Sequence, residues 1–167
     1  MIEMFEIGTF VVYGNTGICK IEDISTLDIP GASNNRLYYV MTSLKGNGNR
    51  DFLPVDNTRV VIREVISKED ANSLFDRVAD IPEIQVDNDK QREEKYKEFS
   101  KRCDCECWIS IIKTIESRKK ERLAQGKKIT ATDDRYYRLA ADQLCSELAF
   151  VLDLEANVIE EKIKSAI

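Results

Sequence analysis

Three cysteines at alternate positions, Cys103-Asp104-Cys105-Glu106-Cys107, are the residues whose spacing first suggests chemistry, because thiolates are good ligands for soft metal ions. The pattern does not complete a zinc site. There is no Cys-x-x-Cys pair, the chain has no histidine, and only Cys19 and Cys145 remain elsewhere. Read on one helix, Cys103 and Cys107 share a face and Cys105 points away, which fits reduced thiols in a chain with an odd count of five. No metal or other cofactor is expected. The missing histidine also removes Ser-His and Cys-His nucleophile pairs. Gly46-Asn47-Gly48 falls in a hairpin loop rather than between a strand and a helix, so it is no phosphate cradle. Asp133-Asp134 opens a helix, where the macrodipole already accounts for acids. The chain is therefore not expected to be an enzyme.

Charge is the more informative signal. The 167 residues carry 25 basic and 30 acidic side chains, a formal −5 that argues against a phosphate-rich partner, but the total hides three blocks. Residues 1–89 hold 8 basic and 15 acidic side chains, 90–128 hold 13 and 7, and 129–167 hold 4 and 8. A basic block framed by acidic ones marks where a polyanion would meet the chain; the same block also reads as a solvated helix face of mixed charge. Lys113 and Lys120 are expected on the side of their helix away from Trp108, with Arg118, Lys119, Arg122, Lys127 and Lys128 crowding its C-terminal end and Arg92, Lys95 and Lys101 extending the surface from the preceding helix. Such a surface attracts a nucleic-acid backbone without reading its sequence, although cations at a helix C-terminus also complement the dipole. Trp108, the only tryptophan, begins an apolar helical stripe and reads as core rather than as a base-stacking residue.

The elements that must position these residues divide near residue 65. Before it, Thr9–Tyr13, Gly17–Ile21, Leu37–Met41 and Arg59–Ile62 are rich in β-branched and aromatic residues and are separated by turns at Gly14–Gly17, Pro30–Asn35 and Lys45–Asn49. Five short strands in about sixty residues fit a small SH3-like barrel. After it the period becomes helical. Ser67 opens a first helix through Ala71, Leu74, Phe75 and Val78; a second spans Asp89 to Arg102; a third carries Trp108, Ile111, Ile112 and Ile115 and ends at Gly126; Thr130-x-x-Asp133 has the form of a capping box opening a fourth, and a short fifth begins near Glu155. The fold class is α+β: a barrel over residues 1–65, then an all-α domain over 66–167. No run approaches the ~18 apolar residues of a membrane span, and Met1 to Phe10 has two acids and no base where a secretion signal would begin, so a cytoplasmic location without a membrane partner is expected.

Several motifs in this order resemble the CarD/CdnL family of bacterial RNA polymerase-binding transcription regulators. Phe5-Glu6-Ile7-Gly8-Thr9-Phe10-Val11-Val12-Tyr13-Gly14-Asn15-Thr16-Gly17-Ile18 is similar to its opening signature, with Thr9 where Asp is usual. Phe52-Leu53-Pro54-Val55-Asp56-Asn57 and Val61-Ile62-Arg63 resemble its strand-turn and closing strand, and Ile129-Thr130 through Leu139, Ala140, Leu144 and Glu147-Leu148-Ala149 resembles a later helix. The resemblance implies a Tudor-like N-terminal domain that docks on the β subunit of RNA polymerase through a strand edge, and a helical domain that touches promoter DNA. The polymerase contacts would fall at Leu27 and at Arg50, Asp51 and Phe52, with Leu27 and Phe52 where relatives commonly have arginines and Arg50 as a nearby substitute. The family's groove-wedging tryptophan would fall at Arg92, and a position basic in some relatives is acidic at Asp134. The resemblance thus implies a regulator with backbone-dominated DNA contact and altered or lost open-complex stabilisation. The alternative is a protein-interaction adaptor without DNA binding.

Overall fold

A computed structural model of the chain describes residues 4–27, 36–46 and 48–167. The chain folds as two compact units, Met1–Val65 and Ile66–Ile167. The first is a five-stranded antiparallel sheet of β1 (Phe10–Tyr13), β2 (Gly17–Thr26), β3 (Leu37–Ser43), β4 (Arg50–Pro54) and β5 (Ile62–Glu64), in the order β4-β3-β2-β1-β5. Its core gathers one residue in two from each long strand: Val11, Cys19, Ile21, Tyr39, Met41 and Leu53. The β1–β2 turn needs Gly14, whose φ is +47° and whose Cβ, if it had one, would lie 2.8 Å from a Val60 methyl.

The closing strand begins later than its composition suggests. Rather than spanning Arg59–Ile62, it is Ile62–Glu64, because Asn57 organises the preceding residues into a turn. Its side-chain oxygen accepts from the Arg59 and Val60 amides, and its amide donates to the Val60 carbonyl at 2.7 Å. The loop expected over 30–35 lies outside the described residues, as does Asn47 in the β3–β4 turn.

The second unit packs α1 (Lys68–Arg77), a single 3-10 turn (Val78–Asp80), α2 (Asp89–Lys101), α3 (Cys105–Ala124), α4 (Ala131–Leu152) and α5 (Ala156–Ala166) around Leu74, Tyr96, Trp108, Ile111, Ile115, Leu144, Leu148 and Ile159. Each helix from α1 to α4 starts on a side-chain cap: Ser67, Asn88, Asp104 and Thr130 accept from the amides of Asp70, Gln91, Glu106 and Asp133. Trp108 is core, 1% exposed.

The cysteine triplet does not lie on one helix. Cys103 takes a left-handed backbone, φ 51°, just past α2, and Asp104 then caps α3, so the three thiols straddle a helix break. All five thiols are buried and outside any disulfide. Burial first, and then the Glu160 carboxylate, pushes the Cys145 thiol up to about 11, which keeps it protonated and a poor nucleophile or metal ligand at neutral pH. Among the described residues, no group of three His, Cys, Asp or Glu side chains could hold a metal ion, and no helix is long and apolar enough to cross a membrane.

Candidate functional site

β4 is a terminal strand of its sheet and pairs only with β3. The Val55 amide donates to the Leu37 carbonyl at 3.0 Å, and with Tyr39 opposite Leu53 and Met41 opposite Asp51 this makes Leu53 and Asp51 the residues whose backbone groups face β3. The N–H and C=O groups of Arg50 and Phe52 therefore point outward from the sheet edge. Alternation also separates the side chains. Phe52 stands on the outer face, 46% exposed, with Arg50 beside it, whereas Asp51 turns to the inner face opposite Met41. There, second to burial itself, it raises the Tyr13 hydroxyl and the Cys19 thiol, the latter to about 11. Asp51 is thus a sheet residue by its side chain, and Leu27 is half-buried just past β2. Arg50 and Phe52 are the residues this edge exposes by both side chain and backbone.

In the helical unit the structure withdraws several expected cations from the surface. Lys113 is buried, and its ammonium donates to the carbonyls of Val78 (2.8 Å), Ala79 (3.1 Å) and Ile81 (2.5 Å), closing the C-terminal end of α1 and its 3-10 turn. Arg118 donates to Asp133 at 2.8 Å, and Tyr96 donates to the other oxygen of that carboxylate at 2.9 Å. This bond set pins α2, α3 and α4 together. It raises the Tyr96 hydroxyl, burial first and Asp133 second, while burial works against the Arg118 charge and is outweighed by Asp133 together with Tyr96 and Asp89. Asp133 consequently gives no return bond to the Thr130 cap, so only half of the expected capping box forms. Arg92 is only 17% exposed, pairs with Asp89, and keeps a buried Nε without a hydrogen-bond partner. Arg92 and Arg118 border a cavity of about 310 Å³, but Asp89, Glu93 and Asp133 line it too and cancel their charge. Lys113, Arg118 and Arg92 are therefore structural cations, and nothing at Arg92 stands free to enter a groove.

Residues 5–66 match the family model described as the CarD-like/TRCF RID domain. The matched segment, which spans the N-terminal unit, is thus similar to a family of RNA polymerase-interacting domains. The match covers the sheet and its β4 edge and ends where the helices begin. No curated protein matches the chain. A RID unit is a protein-interaction module of transcription-related proteins, which gives the outward-facing groups of Arg50 and Phe52 a context.

Among the described residues of the helical unit, exposed cations without an ion pair gather at the C-terminal end of α3. Lys119, Lys120, Lys127 and Lys128 are exposed and form no ion pair among the described residues. The end is rigidly built. Gly126, at φ +73°, lets its own amide reach the Leu123 carbonyl and the Lys127 amide reach the Arg122 carbonyl, and the Arg122 Nε donates to the Lys128 carbonyl at 2.7 Å. Elsewhere acids answer several of the cations: Lys95 pairs with Glu98, Arg135 with Glu93 and Arg138 with Asp134, while Lys90 and Lys101 are exposed near the two ends of α2.

Two structural residues are not evident from their type alone. Asp133 looks like a cap partner and is a buried network centre. Glu147, from the Glu-Leu-Ala motif, is buried and accepts from the Ile66 amide at 2.8 Å and from the Cys105 thiol at 3.5 Å, tying α4 to the segment before α1. Their signal is an acid set among apolar helical positions, which only a known partner would resolve.

Proposed function

We propose that this protein is a non-enzymatic transcription regulator whose RID unit docks on the β subunit of RNA polymerase by adding its β4 edge to a strand of that partner, and whose α3 end rests on upstream promoter DNA. The observation that carries this reading is the β4 edge itself. In a RID unit it presents outward main-chain donors and acceptors at Arg50 and Phe52 beside an exposed aromatic ring, the arrangement that strand addition uses for affinity and for side-chain selectivity. The four unpaired lysines supply the second contact. Once polymerase holds the chain, their local concentration on adjacent DNA is set by the tether rather than by their intrinsic affinity. That favours a backbone contact that modulates initiation without choosing a sequence.

The DNA contact is tested on the full chain with a labelled duplex across a salt series. Changing Lys119, Lys120, Lys127 and Lys128 together to Gln spares the helix the repulsion that acids would meet at its C-terminus. The expected result is a log–log salt slope that falls in magnitude by about 3 to 4, since each neutralised phosphate contributes about 0.9. An unchanged slope and affinity would leave the protein as an adaptor without DNA contact.

A further inference from the structure

The helical unit leaves two apolar features uncovered, and the charges beside them are opposite in sign. One is the tip of α3. This helix is buried from Cys107 to Ile115 and then runs past its core, so about two turns after Ser117 stand out with largely exposed residues. Leu123 sits there, the most exposed large apolar side chain described in this unit at 57%, one turn beyond Lys119 and Lys120 on their face of the helix. The other is an open groove of about 590 Å³ between α1 and α5. Phe75 and Ala166, both half-buried, and Val158 give it an apolar lining. Asp76 and Glu161 line it too, both exposed and neither in an ion pair among the described residues. Lys162 does not answer them, because its ammonium lies over the Phe75 ring, 5.4 Å from the centroid.

We propose that the α3 tip of one molecule docks in the α1–α5 groove of a second copy of this chain, with Leu123 against Phe75, Val158 and Ala166 and with Lys119 and Lys120 beside Asp76 and Glu161. Charge complementarity selects this occupant: the tip joins an uncovered leucine to unpaired cations, and the groove joins an apolar seat to unpaired carboxylates. The contact forms between molecules. The hydrogen bonds that close the α3 end, and Ile129 packed against the core just after it, hold Leu123 away from the groove of its own chain. Because tip and groove are different surfaces, the association is head-to-tail, and every pair keeps one free tip and one free groove. One leucine and two ion pairs bury less than the roughly 1,200 Å² of a stable interface, so the association is weak, with a Kd on the order of 100 μM. It does not depend on the DNA contact proposed above, although it uses two of the same lysines.

Sedimentation equilibrium of the full chain without nucleic acid tests this from about 10 μM to about 1 mM, a range that brackets such an affinity. The average mass of wild type should rise with concentration, and the rise should shrink as salt screens the ion pairs. The tip variant is Leu123→Gln and the groove variant is Asp76→Lys with Glu161→Lys; all three positions are exposed, and circular dichroism confirms the fold. Each variant alone should associate at least about fivefold more weakly than wild type. Mixed, they should recover, because the groove variant brings an intact tip to the intact groove of the tip variant, and this assembly should stop at two chains. A wild type that stays monomeric throughout would overturn the proposal. So would association that persists undiminished in either variant, or a mixture of the two that associates no better than each does alone.

Discussion

Asp133→Asn should lower the stability of the helical unit by about 2–4 kcal/mol, the usual cost of leaving a hydrogen-bonded buried charge network incomplete. The side chain is 2% exposed and accepts from Arg118 and Tyr96 at once. Asparagine has nearly the same shape but opposes one amide donor to a donor already there. Trp108, the only tryptophan and part of this unit's core, lets urea unfolding be followed by fluorescence without interference from the sheet. Arg118→Met should also destabilise, and the double variant should cost less than the two singles together by about 1–3 kcal/mol, because each single leaves the other group unanswered. Strict additivity would mean that the two groups do not act as a pair.

Lys113→Met should cost a similar amount, about 2–4 kcal/mol. Methionine keeps much of the buried stem and removes the ammonium, leaving the Ala79 and Ile81 carbonyls without the donor that now reaches them. Lys120→Met, on an exposed position of the same helix, is the control and should stay within about 0.5 kcal/mol of wild type. If Lys113→Met unfolds at the wild-type urea midpoint, Lys113 is not the cap described here. The contrast separates two lysines that composition counts alike.

Much of the fold is legible in the sequence because it rests on local chemistry. Ser67 and Thr130 announce their helices by capping, and Gly14 announces a turn that only its conformation permits. The positions that mislead are those whose partners lie far along the chain. Lys113 reads as surface by type, yet its carbonyl partners lie 32 to 35 residues away in sequence. The near-continuous apolar run from Trp108 to Ile115 is the available sign that α3 is buried on all sides there. Cys103 reads as helical because no rule of spacing reveals a left-handed residue followed by a fresh Asp104 cap. At the candidate sites, alternation along β4 puts Phe52 outward and Asp51 inward, a distinction that needs the register with β3. The basic block keeps its sign but loses Arg92, Lys113 and Arg118 to structure, so its exposed cations gather chiefly at the α3 tip.

The central claim is that the β4 edge is the polymerase-binding surface, and Phe52→Pro tests it most directly. The Phe52 N–H points away from β3, so proline removes a donor the sheet does not use and is tolerated on an edge strand. Binding of the full chain to purified RNA polymerase is measured for wild type, Phe52→Ala and Phe52→Pro, with circular dichroism confirming an intact sheet in each. A partial loss is expected for alanine, from the missing ring, and a further loss of at least about tenfold for proline, from the missing main-chain bond. Proline binding equal to alanine binding, with the sheet intact, would contradict the claim.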